Sequence, residues 1–410
     1  MMKGVILTFV LLLCTLAAVT GQDIYGSPYS YYGIGQLVTQ GSGINTAKGG
    51  TGIGSRPWYD LNTANPAAYT SPIVPSNYIF LADYAFSFHD FTYSSSHYNS
   101  VESSITNLTM WFKPMNNLGL VVGMSPYSKM GYNINEVKNL AGYGNYDVLN
   151  KGTGGVNRYY VGAGYTIWKR LSFGFNANYL FGSLQRETKV QLDELDETYA
   201  RDRLSLANFA FYFGMQYQQK FGKNSYINAG GIWKKGTQLK TVQTNQLINA
   251  ETSSLLIGWD SYPDDYITPD EYGVGLEVSL FDKVALSGDF LYKDYSKAFL
   301  GNEVTMLDTR RFSGGVDWMP NPASQSYFGR AVVRAGFFYE TKPWKLTERQ
   351  LAGYGVTGGL SLPLSNYMSR INLGFGWEQM GTSATGRESV YTVSVGLSLH
   401  DKWFQKRAYD

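Results

Sequence analysis

The chain carries one cysteine in 410 residues, Cys14. That scarcity excludes a disulfide framework, a thiolate metal site and a thiol nucleophile. Histidine is nearly as rare. His89, His97 and His400 have no strand-spaced serine or carboxylate to make a triad or a metal site, and they read as residues of loops and of the chain end. His89 and His97 share one expected loop; weak metal capture is the sharp reading there, and two solvated side chains the preferred one. Charge is sparse, with Asp, Glu, Lys and Arg at 16% and a net charge of +2. No basic patch appears, so nucleic acid is excluded as a partner. After Val19 no apolar run approaches the ~20 residues of a spanning helix. Composition breaks and linkers are missing too, so one continuous architecture is expected. Gly50-Thr51-Gly52-Ile53-Gly54 has no strand before it and no helix after it, unlike a phosphate-cradling loop. The expectation is a protein that is not an enzyme and holds no cofactor and no metal.

Aromatic residues, by contrast, make up 16% of the chain, tyrosine first among them, and glycine is abundant. With so little charge, this is the composition of a membrane β-barrel. Met1, Met2 and Lys3, the apolar run Val5 to Val19, and the small residues of Val19-Thr20-Gly21 predict an export signal over 1–21, with Gln22 as the mature start and Cys14 lost on cleavage.

Strand periodicity carries the fold. Between Tyr78 and Phe88, the residues Tyr78, Phe80, Ala82, Tyr84, Phe86 and Phe88 alternate with Ile79, Leu81, Asp83, Ala85 and Ser87. The length, ~11 residues, is that of a tilted transmembrane strand. The pattern recurs over Leu171 to Gly182, Asn208 to Gln218, Ile371 to Glu378 and Tyr391 to Leu399. A soluble sandwich would show the same alternation, so the connections have to arbitrate. Short joints at Pro114–Asn117, Ile167–Arg170, Phe221–Asn224, Phe281–Lys283, Met319–Tyr327 and Pro363–Ser369 alternate with polar excursions. The excursions are His89–Tyr98, Tyr132–Gly155, Gln185–Arg203, Gly236–Asp270, Ser296–Asp308, Thr341–Gly353 and Gly381–Arg387. Together they predict an all-β transmembrane antiparallel barrel of about fourteen strands over 76–400, with both termini periplasmic. Trp111, Phe112, Trp168, Phe221, Phe281, Trp318, Trp403 and Phe404 flank the short joints, as an interfacial girdle would. The charged run from Asp193 to Arg203 reads as a solvated loop or a docking surface.

Two prolines interrupt the pattern. Pro126 either kinks a continuing strand or follows its end at Ser125, whereas Pro269 opens a strand harmlessly. With the aromatic face outward, Asp83, Glu277, Asp289, Lys293, Asp317, Arg334, Glu340 and Glu378 point into the lumen. A salt-bridge network there is preferred to ligand binding.

Gly41 to Ala67 is glycine-rich, irregular, and closed by Asn65-Pro66-Ala67. That stretch, Ser125-Pro126-Tyr127-Ser128-Lys129-Met130-Gly131-Tyr132, the strand start from Pro269 to Gly275, Arg334-Ala335-Gly336-Phe337-Phe338-Tyr339 and the strand count occur in this order along the chain. Together they resemble the FadL-like family of outer-membrane transporters for long-chain fatty acids and other hydrophobic compounds. The ending Leu397 to Phe404 is similar to members of that family from Bacteroidetes-type bacteria, although Gln405 to Asp410 continues past the usual terminal aromatic.

The resemblance implies a hatch over 22–75 plugging the lumen of an outer-membrane barrel, and a periplasmic tail over 401–410. It also implies uptake of a hydrophobic small molecule, hatch gating, and release into membrane lipid at a kinked strand. Carried over, Asn65, Pro66 and Ala67 form the hatch motif lying against the kink, Gly123 and Pro126 the wall kink. Arg334, Lys293, Asp289 and Glu378 are the candidate lumen contacts, with Arg334 or Lys293 as counter-ion to a carboxylate. The alternative is a FadL-like barrel serving as a non-transporting interaction subunit of an outer-membrane protein secretion or assembly complex, with other outer-membrane proteins as partners.

Overall fold

The computed structural model describes residues 26–72, 76–94, 96–140, 144–168, 170–191, 198–249, 252–299, 306–346, 349–364, 368–383 and 385–403. The expected signal peptide with Cys14, as well as Phe404 and the rest of the tail, lie outside them.

After a two-residue strand, β1 (Gln36–Leu37), the wall begins with β2 (Tyr78–Tyr93), β3 (Ser96–Met115), β4 (Leu118–Leu140) and β5 (Gly144–Ile167). It continues through β6 (Leu171–Gln191), β7 (Thr198–Gly222) and β8 (Ser225–Lys234). An excursion of β9 (Gln238–Asn249), β10 (Leu255–Ser261) and β11 (Tyr266–Ile267) follows. The chain then rejoins the wall as β12 (Asp270–Leu280), β13 (Val284–Asp294), β14 (Thr309–Trp318), β15 (Val332–Leu346), β16 (Arg349–Pro363), β17 (Arg370–Thr382) and β18 (Gly386–Asp401). β8 pairs with β12 from Tyr226↔Ser279 to Lys234↔Glu271, and β18 returns to β2 from Asp401↔Tyr78 to Arg387↔Thr92. Excluding β1 and the β9–β11 excursion leaves fourteen antiparallel strands in a closed barrel.

The faces sort as their alternation demands. Phe173, Phe175, Phe209, Phe211 and Phe213 are exposed outward, while Asp83, Glu277, Asp317, Arg334 and Glu340 are buried inward. An ionised group on the lipid face costs about 2–4 kcal/mol for a basic residue at the midplane, so the barrel keeps its charges in the lumen. Trp168 (84% exposed), Phe221, Phe281, Trp318 and Trp403 are exposed at the short-turn end. Trp111 departs from that girdle. It points inward, fully buried, and its indole N–H donates to the Tyr69 carbonyl at 2.7 Å. Leu61, Tyr69, Ile79, Leu81, Val121 and Tyr160 pack with it as an apolar floor.

Several of the polar excursions are largely strand, whereas Ser296–Asp308 holds no strand among its described residues. β4, β5, β6 and β7 run for 23, 24, 21 and 25 residues, about twice what a bilayer needs. Beyond the apolar band they stay hydrogen-bonded, because paired strands satisfy their backbone in water as well as in lipid. Here β7 changes partner: Tyr212 to Gly222 pair with β8, but Thr198 to Ala207 pair with β9, and β10 adds to β9. The outer halves of β4 and β7, with β5, β6, β9 and β10, thus form a sheet that leaves the wall. Its concave side buries Tyr132, Val156, Leu184, Leu204 and Leu239 over Ile34 of the N-terminal segment.

Candidate functional site

The segment 26–72 folds locally through short capped turns. Asn65 is the N-cap of a 3-10 turn, Pro66–Thr70: its side chain accepts from Ala67 N at 3.0 Å, and proline holds the first position, where no N–H is needed. That is the physical content of the Asn-Pro-Ala signature. Pro66 seats against β6, where any side chain at Gly174 would overlap it, and the Asn65 amide donates to the Ile53 carbonyl at 2.8 Å. The turn therefore rests on β5, β6 and β7 and on the short-turn end of β4 at Gly119, not against the kink that the resemblance placed beside it.

Wall carboxylates fasten the rest of the segment. Asp289 accepts from Gly52 N (2.7 Å) and Ile53 N (2.9 Å), Asp83 from Gly43 N (3.0 Å), and Glu277 from Arg56 N (3.0 Å). The glycine-rich run does make an anion-binding nest, and the wall's own carboxylate fills it. Lys48 reaches Asp317 at 3.2 Å and Glu277 at 3.6 Å, and Arg334 approaches Asp317 at 3.1 Å. Burial alone would lower the Lys48 pKa, but the Asp317 and Glu277 carboxylates outweigh it and hold it above the ordinary lysine value. A second network joins Arg311 to Glu340 (2.7 Å), Lys342 to Glu340 (3.2 Å) and Lys342 to Glu378 (3.4 Å); Arg311 also donates to the Gly49 carbonyl at 3.0 Å.

The wall breaks between β3 and β4. Their ladder runs from Met115↔Leu118 only to Leu108↔Met124, although both strands continue far beyond. From Ser125 onward β4 keeps β5 but has lost β3, and the β4–β5 register slips between Pro126 and Ser128. Proline has no N–H for the ladder, so the bulge falls there. The strand bends on to Leu140 instead of ending at Ser125. Gly123 is paired on both sides, with Thr109 and Tyr160, and is not itself the irregular residue.

The N-terminal segment lines the break from within. β1 pairs Gln36 with Lys129 and Leu37 with Ser128, and Gly26 bonds across it, donating to Gly131 O (2.9 Å) and accepting from Ser100 Oγ (2.9 Å). Lys129 of β4 spans to β3, to the Glu102 carboxylate and to Ser104 Oγ at 2.7 Å. Beside it, the His89 imidazole meets Glu388 at 2.8 Å. Behind lies a cavity of about 1340 Å³, bounded by Glu102 and Lys129 at the break, Arg311 and Lys342 across from it, and Thr46 and Ala47 below. Its lining also includes Ile105 of β3 and Phe209 of β7, both exposed on the outward face.

Of the expected lumen contacts, Glu378 lines this cavity, whereas Asp289 is taken by the nest, Arg334 by Asp317 and Tyr59, and Lys293 lies 3.9 Å from Glu271. The lysines and arginines lining the cavity are Lys129, Arg311, Lys342 and the exposed Lys240. Arg311 and Lys342 stand an even number of positions from Asp317 and Glu340 and so share their inward face, a signal the sequence carries without showing that a cavity forms beside them. His89, His97 and His400 correct the loop and chain-end reading: all three stand on strands, His89 and His400 buried, the latter 3.1 Å from Ser398, and His97 exposed on β3 at 2.9 Å from Asp90. The pattern missed this because β2 and β18 continue past their apolar stretches. No group of three metal-ligating side chains occurs among the described residues.

The fold is shared with solved channels. The Ralstonia pickettii toluene transporter TbuX superposes with a TM-score of 0.62 at 14% identity, covering 88% of this chain and 98% of its own. The CymD monoaromatic hydrocarbon channel gives 0.57 at 13%, covering 93% and 100%. A Pseudomonas aeruginosa FadL homologue gives 0.57 at 9%, covering 90% and 99%. No curated protein is similar in sequence. A family model described as BamG matches residues 1–410.

Proposed function

The chain belongs to the BamG family, and for this member we propose passive passage of a hydrophobic small molecule across the outer membrane, with lateral release at the β3–β4 break. The observation that carries this reading is that the cavity behind the β3–β4 break is lined by Pro126 together with Ile105 and Phe209, which are exposed on the outward face. The fold neighbours, one described as a monoaromatic hydrocarbon channel and another as a toluene transporter, support it. Ligand enters among the long hairpins, on the outer side, and rests with its polar end near Lys129, Arg311 and Lys342. The segment 26–72 acts as the hatch, closing the short-turn, periplasmic half over the buried Tyr69–Trp111 floor; Asn65, Pro66 and Ala67 seat it. No bond is made or broken, so the protein works as a conduit and not an enzyme. Replacing Gly123 and Pro126 together with valine restores a ladder donor at 126 and straightens β4. Dye uptake by cells should then fall to background at equal surface abundance, and unchanged uptake would overturn the reading.

A second reading, an interaction subunit of an outer-membrane secretion or assembly complex, is favoured by the sheet that leaves the wall and by its apolar edge strand. Native mass spectrometry after mild-detergent purification separates the two: stoichiometric protein partners support the subunit, and a monomer carrying lumen-bound lipid or detergent supports the conduit.

A further inference from the structure

The projecting sheet has two free edges of opposite character. One is the outer half of β4, which past Gln36↔Lys129 and the Gly26 and Ser30 bonds to Gly131 has no second strand beside it among the described residues. It reads Asn133-Ile134-Asn135-Glu136-Val137-Lys138-Asn139, with Glu136 and Lys138 paired at 3.3 Å. Amides and charges of this kind keep other strands off an edge. The second edge is β10. It pairs with β9 from Leu255↔Ile248 to Ser261↔Gln243 and with nothing else among the described residues. Its sequence, Leu255-Leu256-Ile257-Gly258-Trp259-Asp260-Ser261, contains neither lysine nor proline. Both faces are open, with Ile257 58% and Trp259 55% exposed, and Tyr262 beyond them 78%. A long apolar edge left bare in this way invites another strand.

Charge selects the occupant. Between Lys240 and Lys283 the chain has no lysine or arginine, while Asp260, Asp264 and Asp265 cluster at one end of β10. On the sheet, Lys240 of β9 stands beside Asp265, which accepts from Gln238 and from Thr241 N, while Arg201 and Arg203 lie two strands inward on β7, with Arg201 held by Glu187 at 2.7 Å. β10 itself offers no cation to a second copy set edge to edge, so Asp260 and Asp264 would find no partner on that edge, and they would repel anionic lipid headgroups. We infer that the free edge of β10 receives an extended segment of another protein, apolar along its length and basic at the end that meets Asp260 and Asp264, added as a further antiparallel or parallel strand. This names the contact surface of the second reading, rests on that reading for its biological use, and needs no conduction through the lumen.

The test uses the full chain in detergent micelles and fluorescently labelled nine-residue peptides of alternating valine and threonine, ending in lysines or in glutamates. The lysine peptide should bind, slow hydrogen exchange over 255–261, and outbind the glutamate peptide at least tenfold. Ile257→Lys, and separately Leu256→Lys, should remove binding without changing the heat-modifiable mobility of the folded barrel, and Glu136→Ala with Lys138→Ala should leave it intact. Equal binding of both peptides, binding that survives both lysine variants, or no binding overturns the proposal. So does efficient disulfide dimerisation of Gly258→Cys in membranes, which would assign the edge to a second copy, or quenching of label at that cysteine by brominated lipid, which would assign it to the bilayer. A co-purifying complex that persists in Ile257→Lys sinks the β10 assignment and spares the second reading. The absence of any complex sinks that reading, and the peptide result then decides the edge alone.

Discussion

Lys48 and Asp317, 269 positions apart in the chain, meet at 3.2 Å inside the barrel with both side chains buried. One belongs to the N-terminal segment and the other to β14, so this pair fixes the segment to the wall where both are largely shielded from water. Burying the two ions is costly, and what offsets it is that Glu277, Ser55 and Arg334 complete the set.

Lys48→Met should therefore unseat the segment at a cost of about 3 kcal/mol, the size expected when one partner of a buried pair is removed. The measurement is thiol labelling of Thr51→Cys in the two backgrounds; equal labelling rates would show that the pair is not what holds the segment.

The same pair fixes a pH dependence. Lys48 has a pKa above the ordinary 10.5, so its contribution is fully present below that value and is lost as pH rises through the higher folded-state pKa. Labelling of Thr51→Cys with a pH-insensitive reagent should stay slow from pH 6 to 9 and accelerate only in the alkaline range past that of a free lysine. Faster labelling near neutrality would contradict the assignment.

Trp111 and Trp168 flank neighbouring short joints but should behave oppositely. Trp111→Ala removes a buried ring and its bond to Tyr69 and should cost about 3–5 kcal/mol. Trp168→Ala should stay within about 0.5 kcal/mol in detergent. Urea titration of the heat-modifiable gel shift distinguishes them.

Two glycines make a matched comparison. A side chain at Gly174 runs into Pro66, whereas at Gly288 the nearest heavy atom is 3.8 Å away. Gly174→Val should destabilise by about 1–3 kcal/mol or more and loosen the Asn65-Pro66-Ala67 turn, with Gly288→Val near neutral. Equal losses in the same titration would mean the turn is not seated on β6.

Lys129 spans the β3–β4 break to Glu102. Under the conduit reading Lys129→Ala should raise dye uptake several-fold, Glu102→Gln should do the same, and the double variant should add little to either. Additive effects would place the two residues in separate roles.

What the sequence determined alone is the identity of the two faces. A strand points successive side chains to opposite sides, so the alternation of Phe173 and Phe175 with Ser172 and Gly174, repeated around the chain, already divided lipid from lumen and put Asp83, Asp317 and Arg334 inside. The short joints and the proline at 126 were local as well, each set by backbone chemistry that a few adjacent residues decide. What only the tertiary structure decided was which inward groups meet. Asp289 finds the amides of Gly52 and Ile53, Lys48 finds Asp317, and Trp111 turns in to Tyr69, because these contacts join residues separated by up to hundreds of positions and nothing in either local pattern names the partner. The polar hairpins beyond the membrane stayed hidden for a related reason. With both faces in water, or one face covered by distant chain, a strand needs no alternation, and only the ladder between β7 and β9 revealed that the sheet goes on and ends at β10.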